Sequence, residues 1–212
     1  MRVNAYIDGF NLYYSLKELE NNAFKWLDLR KMCSLFLDKE DILNEVYYFT
    51  AYTNFDYAKK ARHQIYTKAL ENSNVRTILG KFKKKYPKCK ICGGKYQTYE
   101  EKESDVNIAI QLLEDAFLNK IDKAFLITAD TDLNSTIVKF RQLFPNKRLI
   151  LLVPPKRAKQ SYDLQKKANA WFEIKARHIR QSLLPNNIKG IVNPFTALLR
   201  TSTSKSSAIS SK

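Results

Sequence analysis

The stretch Ala124-Phe125-Leu126-Ile127-Thr128-Ala129-Asp130-Thr131-Asp132-Leu133 decides the fold. It opens with a short apolar run, of strand length and bounded by a turn. Two aspartates follow in that turn. At Leu133 an apolar period of 3.6 residues begins and runs to Leu143, which reads as a helix. The local unit is therefore strand, acidic turn, helix. The chain opens on the same unit: Val3-Asn4-Ala5-Tyr6-Ile7 leads into Asp8-Gly9-Phe10-Asn11, with a helix expected over Leu12–Leu19.

Outward from these two units the alternation continues. Strands are expected at Glu45–Thr53, Val75–Leu79, Leu149–Val153 and Trp171–Ile174. Helices are expected at Asp28–Leu37, Phe55–Glu71, Ser161–Ala170 and Ala176–Leu184, and one opens at Asp105. The helix from Asp105 carries Val106, Ala109, Ile110, Leu113, Ala116 and Phe117 at helical spacing, which reads as its buried face. Strands alternating with helices indicate an α/β fold with a mostly parallel central sheet. Residues 80–99 interrupt the pattern with Gly80, Pro87, Gly93 and Gly94, and read as an inserted hairpin or loop. The domain is expected to span 1–184. From Pro185 the pattern fades, and 185–212 reads as a flexible Ser/Lys-rich tail.

The chain of 212 residues carries 37 Lys and Arg against 21 acids, a net charge of +16. Such an excess fits a polyanionic partner. Residues 59–95 concentrate it, with twelve basic residues and the single acid Glu71. Tyr66, Phe82, Tyr86 and Tyr96 are interleaved there, a pattern of single-strand binding, although each ring alone reads more readily as core. No secretory signal is visible, and the longest apolar run is far short of the roughly 20 residues that cross a bilayer. The odd count of cysteines, Cys33, Cys89 and Cys92, suggests reduced thiols and a cytoplasmic chain with no membrane partner.

Against this basic background stand four aspartates. Asp8 and Asp130 fall at strand carboxyl ends, where open α/β sheets build their sites. Asp132 shares the turn of Asp130, and Asp105 opens its helix. Asp105 and Asp132 also fit simple helix capping, but capping does not account for the two strand-end acids as well. Carboxylates gathered at one sheet edge call for Mg²⁺ or Mn²⁺, whose hard-oxygen sites leave positions for water and phosphate. Such ions can activate water for phosphodiester hydrolysis. Asn11 and Thr128, at the same strand ends, can orient a carboxylate or satisfy nearby backbone.

Three motifs carry a resemblance. Asp8-Gly9-Phe10-Asn11-Leu12, Lys102-Glu103-Ser104-Asp105-Val106-Asn107 and Thr128-Ala129-Asp130-Thr131-Asp132-Leu133 resemble, in order, the three motifs of the NYN domain family of PIN-like nucleases, over about residues 1–180. The resemblance implies a three-layer α/β/α sandwich and a metal-dependent endoribonuclease. Asp8, Asp105, Asp130 and Asp132 would be its catalytic metal ligands. Ala129 stands where the family usually has glycine, Leu133 where it has an aromatic, and Glu103 where it has a small residue. A non-catalytic RNA-binding module of the same fold is the alternative. Nucleotide-sugar glycosyltransferases share Asp-x-Asp, but that motif explains neither Asp8 nor Asp105. A haloacid-dehalogenase-type phosphatase would need an acid at Phe10.

Lys102 precedes Asp105 by three residues and could meet the scissile phosphate, pair with a carboxylate or stay solvated. Lys81, Lys83, Lys84, Lys85, Lys88 and Lys95 lie just upstream and could carry single-stranded or structured RNA toward the metals. Cys89 and Cys92 resemble half a zinc knuckle, but a structural zinc wants four ligands. Cys33, His63 or a second chain would have to complete the site, so a metal-free turn is the favoured reading. His63 and His178 read as surface or helix residues. A homodimer accords with PIN-like relatives.

Overall fold

The computed structural model describes residues 1–195. Strand β1 (Arg2–Asp8) is followed by α1 (Gly9–Lys17), α2 (Leu29–Ser34), β2 (Ile42–Thr50), α3 (Tyr57–Glu71) and β3 (Arg76–Leu79). A hairpin of β4 (Lys81–Lys85) and β5 (Thr98–Lys102) leads into α4 (Ser104–Phe117). Then come β6 (Lys123–Ile127), α5 (Asn134–Leu143), β7 (Arg148–Val153), α6 (Tyr162–Lys167), β8 (Ala170–Glu173) and α7 (Ala176–Gln181). Six strands form one sheet in the order β3-β2-β1-β6-β7-β8, every pairing parallel. The chain works outward from β1 to β3, then returns through α4 to lay β6 on the other side of β1. The reversal between β1 and β6 leaves a crevice at their carboxyl ends.

The central strands are buried on both faces, which is why they read as apolar runs without polar alternation. Val3, Ala5 and Ile7 of β1 point to one layer, where Leu12 of α1, Met32 of α2, Leu70 of α3 and Ile179 of α7 pack. Tyr6, with Leu126 of β6 and Leu151 of β7, points to the other, against Ile108 and Leu112 of α4, Phe140 of α5 and Leu164 of α6. The architecture is α/β/α. Among the described residues no helix is long and apolar enough to cross a membrane.

Two expectations need correction. Half of the stripe expected to bury α4 faces outward: Val106, Ile110 and Phe117 are exposed, Phe117 at 80%, while Ala109 and Leu113 are half-buried and Ala116 buried. The inner row is Ser104, Ile108, Leu112, Asp115 and Ala116. Asp115 is fully buried there, accepting hydrogen bonds from Asn4 Nδ2 at 2.9 Å and from the Tyr6 hydroxyl at 2.8 Å. An apolar count scores that carboxylate as surface and so rotates the helix. The second correction concerns the expected tail. Residues 185–195 are ordered: β9 (Asn187–Ile188) and β10 (Ile191–Val192) pair as a small hairpin, turning at Gly190 with φ +85°. Phe195 is buried, its ring 6.3 Å from that of Trp26, whose indole N–H donates to the Pro185 carbonyl at 2.8 Å. Sparse apolar residues hid this segment, since their partner lies far away in sequence. The expected tail beyond residue 195 lies outside the described residues.

Candidate active site

Each acid is placed by a local bond that its sequence motif encodes. Asp8 ends β1 and caps α1: its Oδ1 accepts the Asn11 N–H at 3.0 Å. Its Oδ2 accepts the Thr128 hydroxyl at 2.9 Å, which ties β1 to the end of β6. The same Thr128 oxygen accepts the Asp130 N–H at 3.0 Å. The Asn11 side-chain carbonyl in turn accepts the Ala129 N–H at 3.0 Å. Asp130 then caps the short turn 131–133 by accepting the Asp132 N–H at 3.0 Å. Thr128 therefore orients a carboxylate and Asn11 satisfies backbone, fixing both halves of the crevice in one network. Asp8 is buried, Asp105 and Asp130 half-buried, and Asp132 exposed at the rim.

Asp105 arrives from the hairpin. Glu103 precedes it in a left-handed conformation, φ 83°, and caps α4 with no side-chain bond. Glu101 does that work instead, its Oε1 accepting the Ser104 hydroxyl at 2.6 Å and the Ser104 N–H at 3.2 Å. Glu103 turns away and pairs with Lys81. Glu101 was the carboxylate missed in the sequence, where Glu103 drew attention because it departs from the family motif. The left-handed backbone at Glu103, just past the end of β5, is what turns the two side chains apart.

These acids feel one another. Burial pushes the Asp8 carboxyl up to about 6, against the pull of its two hydrogen bonds, with Asp105 and Asp130 adding repulsion. Asp105 is likewise raised to about 6, by burial first and then by Asp130, Glu101 and Asp132. Yet among the described residues no three His, Cys, Asp or Glu side chains converge tightly enough to hold a metal ion by themselves. The chemistry of the donors nevertheless fits a hard divalent cation: carboxylate oxygens, mutually repelling and without an ion-pair partner among the described residues.

A carboxyl whose pKa is higher in the folded state stabilises the fold only while protonated. That contribution is complete below about pH 4 and is lost as the pH rises through about 6. Asp105→Asn is therefore expected to raise the stability of the metal-free protein at pH 7 by roughly 1 kcal/mol, discounted for partial exposure. The gain should vanish near pH 4. Urea unfolding at the two pH values checks this, and equal stability at pH 7 would contradict it.

The hairpin is docked by rings. Phe82 packs edge-on against Phe10 of α1 and against Phe55, each at 5.6 Å, and Phe55 stacks on Tyr99 at 3.9 Å. Of the six hairpin lysines singled out, all are exposed. Lys81 and Lys85 pair with Glu103 and Glu100, whereas Lys83, Lys84, Lys88 and Lys95 make no ion pair among the described residues. Lys102 is held by Glu100 at 2.9 Å. The interleaved aromatics divide: Tyr66 is buried and Phe82 half-buried, while Tyr86 and Tyr96 are exposed among the lysines. Cys89 closes a tight turn, its N–H donating to the Gly94 carbonyl at 2.7 Å. N–H groups of Cys92 and Ile91, together with the Cys92 side chain, hold its thiol below the usual range. No third potential ligand joins Cys89 and Cys92 among the described residues. Cys33 is buried in the core, its thiol pushed up to about 12. Of the two readings offered for His63, it is a helix residue of α3, half-buried and hydrogen-bonded to Thr50 Oγ1 at 3.3 Å. His178 Nδ1 accepts the Lys175 N–H at 3.1 Å, a capping role.

The structure is thus a parallel sheet between two helical layers, with acids at its switch point. The chain belongs to the NYN domain family, whose model matches residues 2–175. NYN domains are generally nucleases, and typically use divalent metals. The chain is similar to 6-hydroxy-3-succinoylpyridine 3-monooxygenase HspA of Pseudomonas putida, 26% identical over 176 residues. The match covers 66% of this chain and 56% of that protein, so the chain spans little more than half of the relative's length. A solved structure of a protein of unknown function from Vibrio parahaemolyticus shares the fold. Its TM-score is 0.57 at 19% identity, over 86% of this chain and 96% of that one.

Proposed function

We propose that the chain is a metal-dependent endoribonuclease. The observation that carries this reading is the group of mutually repelling carboxylates, Asp8, Asp105, Asp130 and Asp132, at the β1/β6 switch point of a protein with a +16 charge. Mg²⁺ or Mn²⁺ held there would supply an activated water and neutralise charge on a phosphate. The chain's own residues do the rest. Thr128 and Asn11 hold the acids in register, and the free lysines of the β4–β5 hairpin attract the RNA backbone, with Tyr86 and Tyr96 available to stack on bases. The cytoplasm, with reduced thiols, is the compartment that suits these features. The exposed row Val106, Ile110 and Phe117 on α4 is the apolar surface a homodimer would use.

A second reading, an RNA-binding module without catalysis, is favoured by the failure of any three acids to converge among the described residues. The relative's name offers a further possibility, an oxidative activity on a succinoylpyridine. A cleavage assay separates them. Labelled single-stranded and structured RNAs are incubated with Mn²⁺, Mg²⁺ or EDTA, with Asp130→Asn alongside. Cleavage that needs metal and drops at least about a hundredfold in the variant supports the nuclease. Intact RNA, bound with a steep salt dependence, supports the binding module.

A further inference from the structure

One cavity lies beside α1. It encloses about 220 Å³, and Gly9 and Phe10, the two residues after Asp8, form part of its wall. That volume is below the roughly 300–1,000 Å³ of sites for drug-sized ligands, and suits a single flat ring system. Its other walls include Tyr13, Tyr48, Tyr66 and His63. Burial and the neighbouring Lys59 push the His63 imidazole down to about 4, so it is neutral at pH 7 and adds a polar edge to an aromatic wall.

Three cations border this cavity: Lys25, Lys59 and Arg62. None makes an ion pair with a carboxylate among the described residues. Asp56 bonds the Lys59 backbone N–H at 2.8 Å and not its ammonium. Lys25 and Lys59 lie 5.8 and 5.6 Å from the centre of the Tyr13 ring, and Lys25 also donates to Asn22 Oδ1 at 2.6 Å. Burial and repulsion from Lys17, Arg62 and Lys59 hold the Lys25 ammonium below its usual range. Like charges gathered around an aromatic hollow with no counter-anion are complementary to a flat ring that carries negative charge.

We propose that this cavity is a nucleotide subsite, in which the base enters among Tyr13, Tyr48 and His63 while its phosphate meets Lys25, Lys59 and Arg62. Its place on the strand rests on the ribonuclease reading. Phe10 lines the cavity, touches Phe82 of the hairpin and follows Asp8 by two residues, so hairpin, acid and cavity adjoin one another along α1. The subsite would hold the nucleotide adjacent to the cut.

The test is calorimetric titration of the full chain in EDTA with adenosine and uridine 5′-monophosphates, the matching nucleosides, and nicotinate as an aromatic acid. A single site is expected, with a nucleotide at least tenfold tighter than its nucleoside. The double variant Lys59→Ala/Arg62→Ala should weaken it roughly tenfold, as loss of charge-assisted hydrogen bonds implies. Its circular dichroism should match that of the parent. Nucleotide affinity unchanged in that variant, or no nucleotide binding, overturns the assignment. Binding of nicotinate in place of nucleotides reassigns the cavity to a small aromatic acid and also overturns it. Because EDTA excludes cleavage, nucleotide binding by a chain that cuts no RNA faults only the nuclease reading. Metal-dependent cleavage without nucleotide binding faults only the subsite.

Discussion

Asparagine in place of Asp8 is expected to lower metal-dependent RNA cleavage by about two to three orders of magnitude, the scale seen when one preorganised electrostatic group is removed, while the protein stays folded. Asp8 is the acid most firmly built into the frame, with one oxygen on the Asn11 N–H and the other on the Thr128 hydroxyl. Asparagine keeps one carbonyl for the first of these, and its amide can donate to the threonine oxygen once the hydroxyl rotates. The cap and the β1–β6 tie therefore survive. What is lost is charge, and the fold does not depend on that charge. The carboxyl is raised to about 6, so its ionised form is the less favourable one in the folded state. Thermal melting should show no loss of stability in the metal-free protein, and RNA binding through the hairpin should persist. Cleavage within tenfold of the parent would remove Asp8 from the chemistry.

The reasons this acid was legible in the sequence, and others were not, are physical. Asp8 and Asp130 follow apolar runs buried on both faces, and a charge at the end of such a run marks a strand end directly. Asp105 was recognisable because it opens a helix. The orientation of that helix was not, because Asp115 is buried through bonds to Asn4 and Tyr6 from a distant strand, which no local period encodes. Glu101 was overlooked for a similar reason: its role depends on which way β5 points its alternate side chains once paired with β4. The cavity beside α1 was invisible, since its walls come from α1, the end of β2, α3 and Phe195. Its imidazole, His63, reads in sequence as a surface or helix residue, and only the fold sets Thr50 and Tyr52 against it.

Gly9→Ala is expected to cost about 3 kcal/mol, near the top of the usual range for added bulk in a packed site, and to lower the melting temperature by roughly 6–12 °C for a domain of this size. A Cβ at this position would lie 2.6 Å from the Phe49 carbonyl oxygen and 2.7 Å from the Tyr48 ring. The first obstacle is backbone of the neighbouring strand, where Phe49 is in register with Asp8, so it cannot swing aside as a side chain would. Alanine's better helix propensity, about 1 kcal/mol in a helix interior, is too small to compensate, and less applies at the first helical position. The clash can be relieved only by lifting the start of α1 off β2. That displaces Asp8 on one side, with the Asn11 bonds that set the Asp130 turn, and opens the cavity wall on the other. Differential scanning calorimetry reads the stability. Cleavage and nucleotide binding should fall together in this variant, whereas Asp8→Asn separates them. A melting temperature within about 2 °C of the parent would mean that β2 yields to the added methyl, and that the close approach of α1 to the sheet is not what holds the acid and the cavity in place.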